Sequence, residues 1–160
     1  MVDAVIVRAG DSVATLLRDG DAGERIDTGD AILTLARDVP RGHKVALGSM
    51  APGMDVIWMS QFLSCFSESA IASILQRAAA ALAQGGQLLV MDTFWDRQRY
   101  DIASYCLINT SPYFTAMASG NSKIYESGDY IRLAEAAGLK LLTVRDEIGY
   151  CHSLLRFTRA

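Results

Sequence analysis

The feature that most constrains this chain is the block ESAIASILQRAAAALAQGGQLLVMDTF, residues 68–94. Ile71, Ile74, Leu75, Ala78 and Leu82 recur at helical spacing, so one face of a helix is apolar and must be buried. Ser67 or Ser69 stands where an N-cap belongs, and Gly85-Gly86 is expected to stop the helix. The run QLLVMDTF that follows is almost continuously apolar, the pattern of a strand covered on both faces of a parallel sheet. With the apolar run IWMSQFL before it, the block becomes strand–helix–strand, which implies a crossover and a parallel strand pair.

Downstream, the segment 96–118 is expected to be helical in part and bent or ended by Pro112. GDYIRLAEAAG reads as a second amphipathic helix closed by Gly138, and residues 139–159 as two strands around a turn near Ile148-Gly149, with the final hairpin adding an antiparallel strand at or near one sheet edge. The order from residue 55 is therefore β-α-β-α-α-β-β.

Upstream the texture is different. VDAVIVR, GERIDTG, AILTL and KVAL are short strand candidates separated by turns. DSVATLLRDG, with Asp11 as N-cap and Gly20 as stop, is expected to form up to two helical turns. The fold class expected is α/β: a small β unit followed by a partial Rossmann-like sheet. The two regions are 1–57 and 55–160, both incomplete, sharing the strand entry at residues 55–57.

Bulk properties narrow the partners. The net charge of -3 and the absence of a basic stripe exclude a nucleic-acid role, since a phosphate-binding surface needs a cationic excess. No apolar run approaches the roughly 18–20 residues that span a bilayer, so no membrane role is expected, and the N-terminus lacks the layout of a signal peptide. Cys65, Cys106 and Cys151 form no CxxC pair and read as buried thiols of a reduced cytoplasm. No metal site is expected.

Two stretches carry family resemblances. In DSVATLLRDGDAGE and DVPRGHKVALGSMAPGMDVI, the ordered residues Asp11, Val13, Ala14, Leu17, Gly23, Glu24, Pro40, Gly42, His43, Lys44, Ala46, Leu47, Gly53 and Ile57 resemble the SAF-type N-terminal domain of altronate and related sugar-acid dehydratases. This implies a β-clip fold serving a hydro-lyase, over residues 2 to 57. His43 and Lys44 are then the substrate-binding candidates, an imidazole beside an ammonium suiting a carboxylate; a structural role, with His43 bonded to a turn carbonyl and Lys44 solvated, is the alternative.

From residue 55, Ile74-Leu75, Ala81-Leu82, Gly85-Gly86 and Leu88-Leu89-Val90 are similar to the helix–strand block of class I S-adenosylmethionine-dependent O-methyltransferases. This implies strands four to seven of a seven-stranded sheet, with S-adenosylmethionine as cofactor and a small molecule as methyl acceptor. Ser60 and Gln61 would lie at the cofactor edge. Trp95, Tyr100, Tyr113, Phe114 and Met117 would line the acceptor pocket, or else fill the core. Ser64 stands where many relatives place a general-base histidine, and these 160 residues hold no G-x-G-x-G after any strand. Methyl transfer is therefore expected to be impaired. His152 matches no catalytic position and reads as packed or at the surface. Two alternatives stay open: a module of an altronate-type hydro-lyase, or an inactive fusion or binding fragment that dimerises through an exposed sheet edge.

Overall fold

A computed structural model describes residues 2–6, 13–29, 31–46, 52–117 and 122–159. The chain divides into two compact units, Met1–Met50 and Ala51–Ala160.

The first unit is built from short antiparallel strands: β1 (Ala4–Val5), β2 (Val13–Leu16), β3 (Arg25–Asp27), β4 (Ile32–Thr34) and β5 (Lys44–Ala46). They form a three-stranded sheet in the order β1-β2-β5 and a two-stranded ribbon β3-β4. Ala4, Ala14, Leu16, Ile26 and Leu35 make its core, with Ile6, Leu33, Val39 and Val45 packed against them. One expectation fails here. The stretch expected to start a helix holds β2 instead, whose Ala14 and Leu16 are buried. The β-branched Val13 and Thr15 favour extended backbone, and β2 gains ladders to both β1 and β5, which a two-turn helix could not match. The Asp11 cap lies outside the described residues.

The second unit contains β6 (Met54–Ser60), α1 (Glu68–Ala81), β7 (Leu82–Asp92), α2 (Asp101–Met117), α3 (Ser127–Ala136), β8 (Leu139–Ile148) and β9 (His152–Arg159). The order expected from sequence holds. The sheet runs β6-β7-β9-β8. β6 and β7 are parallel, and β9 is antiparallel to both its neighbours. The antiparallel strand thus lies one place in from the edge, with β8 outside it. Among the described residues β6 has β7 as its only strand partner.

Ser67 is the cap of α1, its side chain accepting from the Ala70 amide. The helix ends at Ala81, before the glycine pair, because Leu82 already pairs with Met54. The glycines then serve the re-entry into the ladder. Gly85 takes φ 78°, and a Cβ on Gly86 would lie 2.7 Å from the Met54 carbonyl oxygen. Pro112 sits inside α2 without ending it, and Gly138 (φ 81°) closes α3 as expected.

The register sets the two faces of the sheet. Ile57, Met59, Leu88, Val90, Asp92, Leu155 and Phe157 share one face, which is buried at Met59, Leu88, Val90, Asp92, Leu155 and Phe157. α1 packs on β7 and α3 on β8, adding Ile71, Leu75, Ala78, Tyr130 and Ala134. Each such large apolar side chain contributes about 1.5–3 kcal/mol. On the opposite face Val56 and Trp58 are more than half exposed, and Leu89, Met91 and Leu154 are half-buried. β7 is therefore not covered on both faces as its apolar run suggested, because α2 buries none of its residues. Among the described residues no helix is long and apolar enough to cross a membrane.

Candidate functional site

In an open sheet, ligands bind beyond the carboxyl ends of parallel strands. Here those ends are Ser60-Gln61 after β6 and Asp92-Thr93 after β7. They are tied together by the Gln61 amide, which donates to the Met91 carbonyl at 2.8 Å. Gln61 takes φ 47°, a left-handed conformation that glycine would adopt more readily. Its side-chain amide meets Nε2 of His152, the first residue of β9. Cys151 is beside it, its Sγ 4.0 Å from His152 Nδ1 and 3.9 Å from Thr93 Oγ1. Of the three cysteines, Cys65 and Cys106 are exposed and Cys151 is half-buried, so the expectation of three packed thiols fails.

Asp92 is the hub on the covered face. It is 4% exposed and accepts from the Thr93 amide at 2.9 Å and the Tyr130 hydroxyl at 3.1 Å. Burial pushes its carboxyl above the ordinary range, while bonds from Thr93, Tyr130 and Ser64 oppose the shift. Ser64 is half-buried after β6, close to this carboxylate. Burial and the Asp92 charge also push the Cys65 thiol up. Tyr130 is itself held far above its usual value by burial and by Asp92. Its ring stacks edge-on against Phe94, and Tyr125, whose hydroxyl is pushed up to about 12 by burial, packs on its other side. The Tyr125 hydroxyl donates to the Phe66 carbonyl at 2.7 Å, locking the turn that carries Ser64.

Two cavities flank this region. One, of about 570 Å3, is lined by Trp95, Ile108, Pro112, Thr115, Lys123 and Ile124 among others. Of the expected aromatic lining only Trp95 contributes. Tyr100, Tyr113, Phe114 and Met117 stand exposed on or beside α2. The other, of about 500 Å3, is lined by Asp96, Arg97, Gln98, Arg99, Asp146 and Glu147. Its charges are largely spent on one another. Arg97 donates to both carboxylate oxygens of Asp146, at 3.0 and 2.6 Å, and Arg99 lies 3.7 Å from Glu147. Asp96 caps α3 by accepting from the Ser127 amide at 2.8 Å.

His43 is exposed in the turn that leads into β5, its amide donating to the Pro40 carbonyl and its carbonyl accepting from the Leu16 amide. Lys44 opens β5, paired with Thr15. Both belong to the first unit. Sequence reasoning missed Asp92, Thr93 and Cys151. The run ending in VMDTF carried the only available signal, an acid at the carboxyl end of a buried strand. Among the described residues no group of three or more His, Cys, Asp or Glu side chains is placed to hold a metal ion.

This parallel pair, with an inserted antiparallel strand and helices on one face, resembles the methyltransferase fold. Solved structures bear that out. A protein from Nostoc punctiforme described as an O-methyltransferase superposes with a TM-score of 0.59 at 18% identity, over 69% of this chain and 33% of its own. An O-methyltransferase family 2 protein from Planctomyces limnophilus, in complex with apigenin, gives 0.56 at 20% identity, over 69% and 32%. The O-methyltransferase NcsB1 of neocarzinostatin biosynthesis, in complex with S-adenosyl-L-homocysteine and 1,4-dihydroxy-2-naphthoic acid, gives 0.57 at 21% identity, over 71% and 31%. The chain spans about a third of the length of these proteins, and the identities support the fold alone.

The N-terminal resemblance has a separate basis. Residues 2–63 match the family described as the altronate/galactarate dehydratase SAF domain. That match extends past Met50 through β6, which the structure builds into the methyltransferase-like sheet. No curated protein matches the chain.

S-adenosylmethionine, the cofactor implied by the resemblance, would sit beyond the carboxyl ends of the parallel strands. The described residues supply only Ser60 and Gln61 at the end of β6, and the Gln61 amide is engaged by His152. Beyond β6 no further strand is described. No chemical step is derived through the cofactor.

Proposed function

We propose that the second unit is the acceptor-side half of a small-molecule O-methyltransferase domain, and that methyl transfer is impaired in the chain as it stands. The observation that carries this reading is the burial of Asp92 beneath the Thr93 amide and the Tyr130 hydroxyl at the carboxyl end of β7, with Ser64 standing where a general-base histidine is expected. A general base must be free to take a proton from the acceptor hydroxyl. Ser64 is a hydroxyl with no basic partner beside it among these contacts, and Asp92 is buried beneath two donors, the Thr93 amide and the Tyr130 hydroxyl. Neither is available to an incoming substrate.

Calorimetric titration with millimolar S-adenosylmethionine, and a methyl-transfer assay on small phenols, test this proposal. The expected result is no saturable heat and no methylated product. Saturable binding, or turnover abolished by Ser64→Ala, would overturn the impairment.

A second reading is favoured by the match of residues 2–63. In it the first unit serves a sugar-acid hydro-lyase, with His43 and Lys44 facing a substrate carboxylate. Elimination of water from altronate-like acids, assayed with a divalent metal, would support it. Loss of that activity in His43→Ala would assign the residue.

A further inference from the structure

We propose that Cys151, with His152, Gln61 and Thr93, forms a reactive-thiol site that takes up the disulfide of a low-molecular-weight thiol. The arrangement has the signature of an activated nucleophile: a sulfur, an imidazole beside it, and a third group orienting the imidazole. His152 Nδ1 lies 4.0 Å from Sγ, and its other nitrogen, Nε2, faces the Gln61 side-chain amide. With the Gln61 N–H donating to Nε2, the imidazole proton sits on Nδ1 and points toward the sulfur. The Thr93 hydroxyl approaches the same sulfur at 3.9 Å. An imidazole and a hydroxyl from different strand ends therefore converge on one half-buried thiol.

The position is accessible as well as polar. Cys151 lies in the turn between β8 and β9, and Gln61 is exposed. The Gln98 side chain donates to the Cys151 carbonyl at 3.0 Å, fixing the backbone that carries the thiol. Thr93 serves Asp92 through its backbone amide and the sulfur through its hydroxyl, so a side-chain change at Thr93 tests the thiol site apart from the Asp92 cluster.

The attacking species in thiol–disulfide exchange is the sulfur anion, and the imidazole and hydroxyl beside Cys151 are placed to face it during attack. Cys151 first loses its proton to solvent. Its sulfur attacks one sulfur of the small disulfide, a new S–S bond forms to Cys151, the original S–S bond breaks, and the departing thiolate takes a proton from solvent. No net oxidant is needed beyond the disulfide itself.

The other two cysteines provide internal controls. Cys106 is exposed on α2 and has no imidazole beside it among these contacts, whereas Cys65 is held back by burial and by the Asp92 charge. The test is to treat the full chain with oxidised glutathione near neutral pH and follow each cysteine peptide by mass. Cys151 is expected to be glutathionylated first, about tenfold faster than Cys106. His152→Gln should remove that excess and leave the Cys106 rate unchanged. Equal rates at Cys106 and Cys151 in the unaltered chain, or an excess at Cys151 that survives His152→Gln, would overturn the proposal. If circular dichroism shows that His152→Gln disturbs the fold, Thr93→Val removes the hydroxyl beside the sulfur and makes the same distinction: a slowed Cys151 supports the site, an unchanged one refutes it.

Discussion

The two faces of the sheet in the second unit are made from the same strands and similar residues, and they meet different ends. Leu88, Val90, Leu155 and Phe157 are at most 1% exposed, while Trp58, one strand over on the other face, is 53% exposed. Strand residues alternate between the faces, so their immediate sequence neighbours are shared. The difference comes from what lies on top. α1 and α3 bring an apolar stripe to one face, whereas α2 carries Ile102, Tyr105, Tyr113, Phe114 and Met117 and leaves all of them exposed. Apolar composition makes burial favourable, but a partner element has to arrive for it to happen.

Substitutions on each face break this comparison most directly. Phe157→Ala removes a fully buried ring between β7 and β8 and should cost about 3–5 kcal/mol, read from urea unfolding. A loss below about 1 kcal/mol would mean that the covered face is not a packed core. Gly86→Ala forces a Cβ against the Met54 carbonyl at 2.7 Å, where neither backbone can yield cheaply. It should cost about 2 kcal/mol and raise amide exchange through β6 first. Unchanged exchange in residues 54–60 would show that the β6–β7 junction is slack.

Asp92→Asn sharpens the comparison through pH. Because burial raises the Asp92 pKa, the folded state binds its proton more tightly than the unfolded state does. Its contribution is fully present below the unfolded carboxyl pKa and is lost as pH rises through the raised folded value. The variant should therefore match or exceed the unaltered chain in stability at neutral pH, and lose that advantage on acidification toward the ordinary carboxylate range. An opposite trend would mean that the donors around Asp92 outweigh its desolvation. Trp58→Ser should have the smallest effect on stability, within about 0.5 kcal/mol, since the ring is already half in water. It should nevertheless lower the binding of an apolar dye. Unaltered dye binding would place the exposed apolar surface on α2 instead.

Much of this fold was legible in the sequence because the signals are local. The stripe Ile71, Ile74, Leu75, Ala78, the Ser67 cap, Gly138 at the end of α3 and the turn near Gly149 each depend on residues within a turn or two of one another. β2 was misread because its fate is decided by partners at residues 4–5 and 44–46, which no local window contains. The candidate site was legible only at its ends. Ser60, Gln61 and Ser64 could be placed after a parallel strand, but the residues that set their chemistry lie far along the chain. Tyr130 reaches Asp92 from α3, and His152 reaches Gln61 from β9. Asp96 capping α3 across 31 positions is another case.

From the sequence alone came the order of the elements in the second unit and the apolar stripes of α1 and α3, because periodicity, capping and turn chemistry act over a few residues. The tertiary structure decided that β6 joins the methyltransferase-like sheet, that one face of that sheet is covered and the other is not, and that Cys151, His152, Gln61 and Thr93 meet. Those outcomes depend on strand register and helix docking, which set distances between residues that no spacing rule connects.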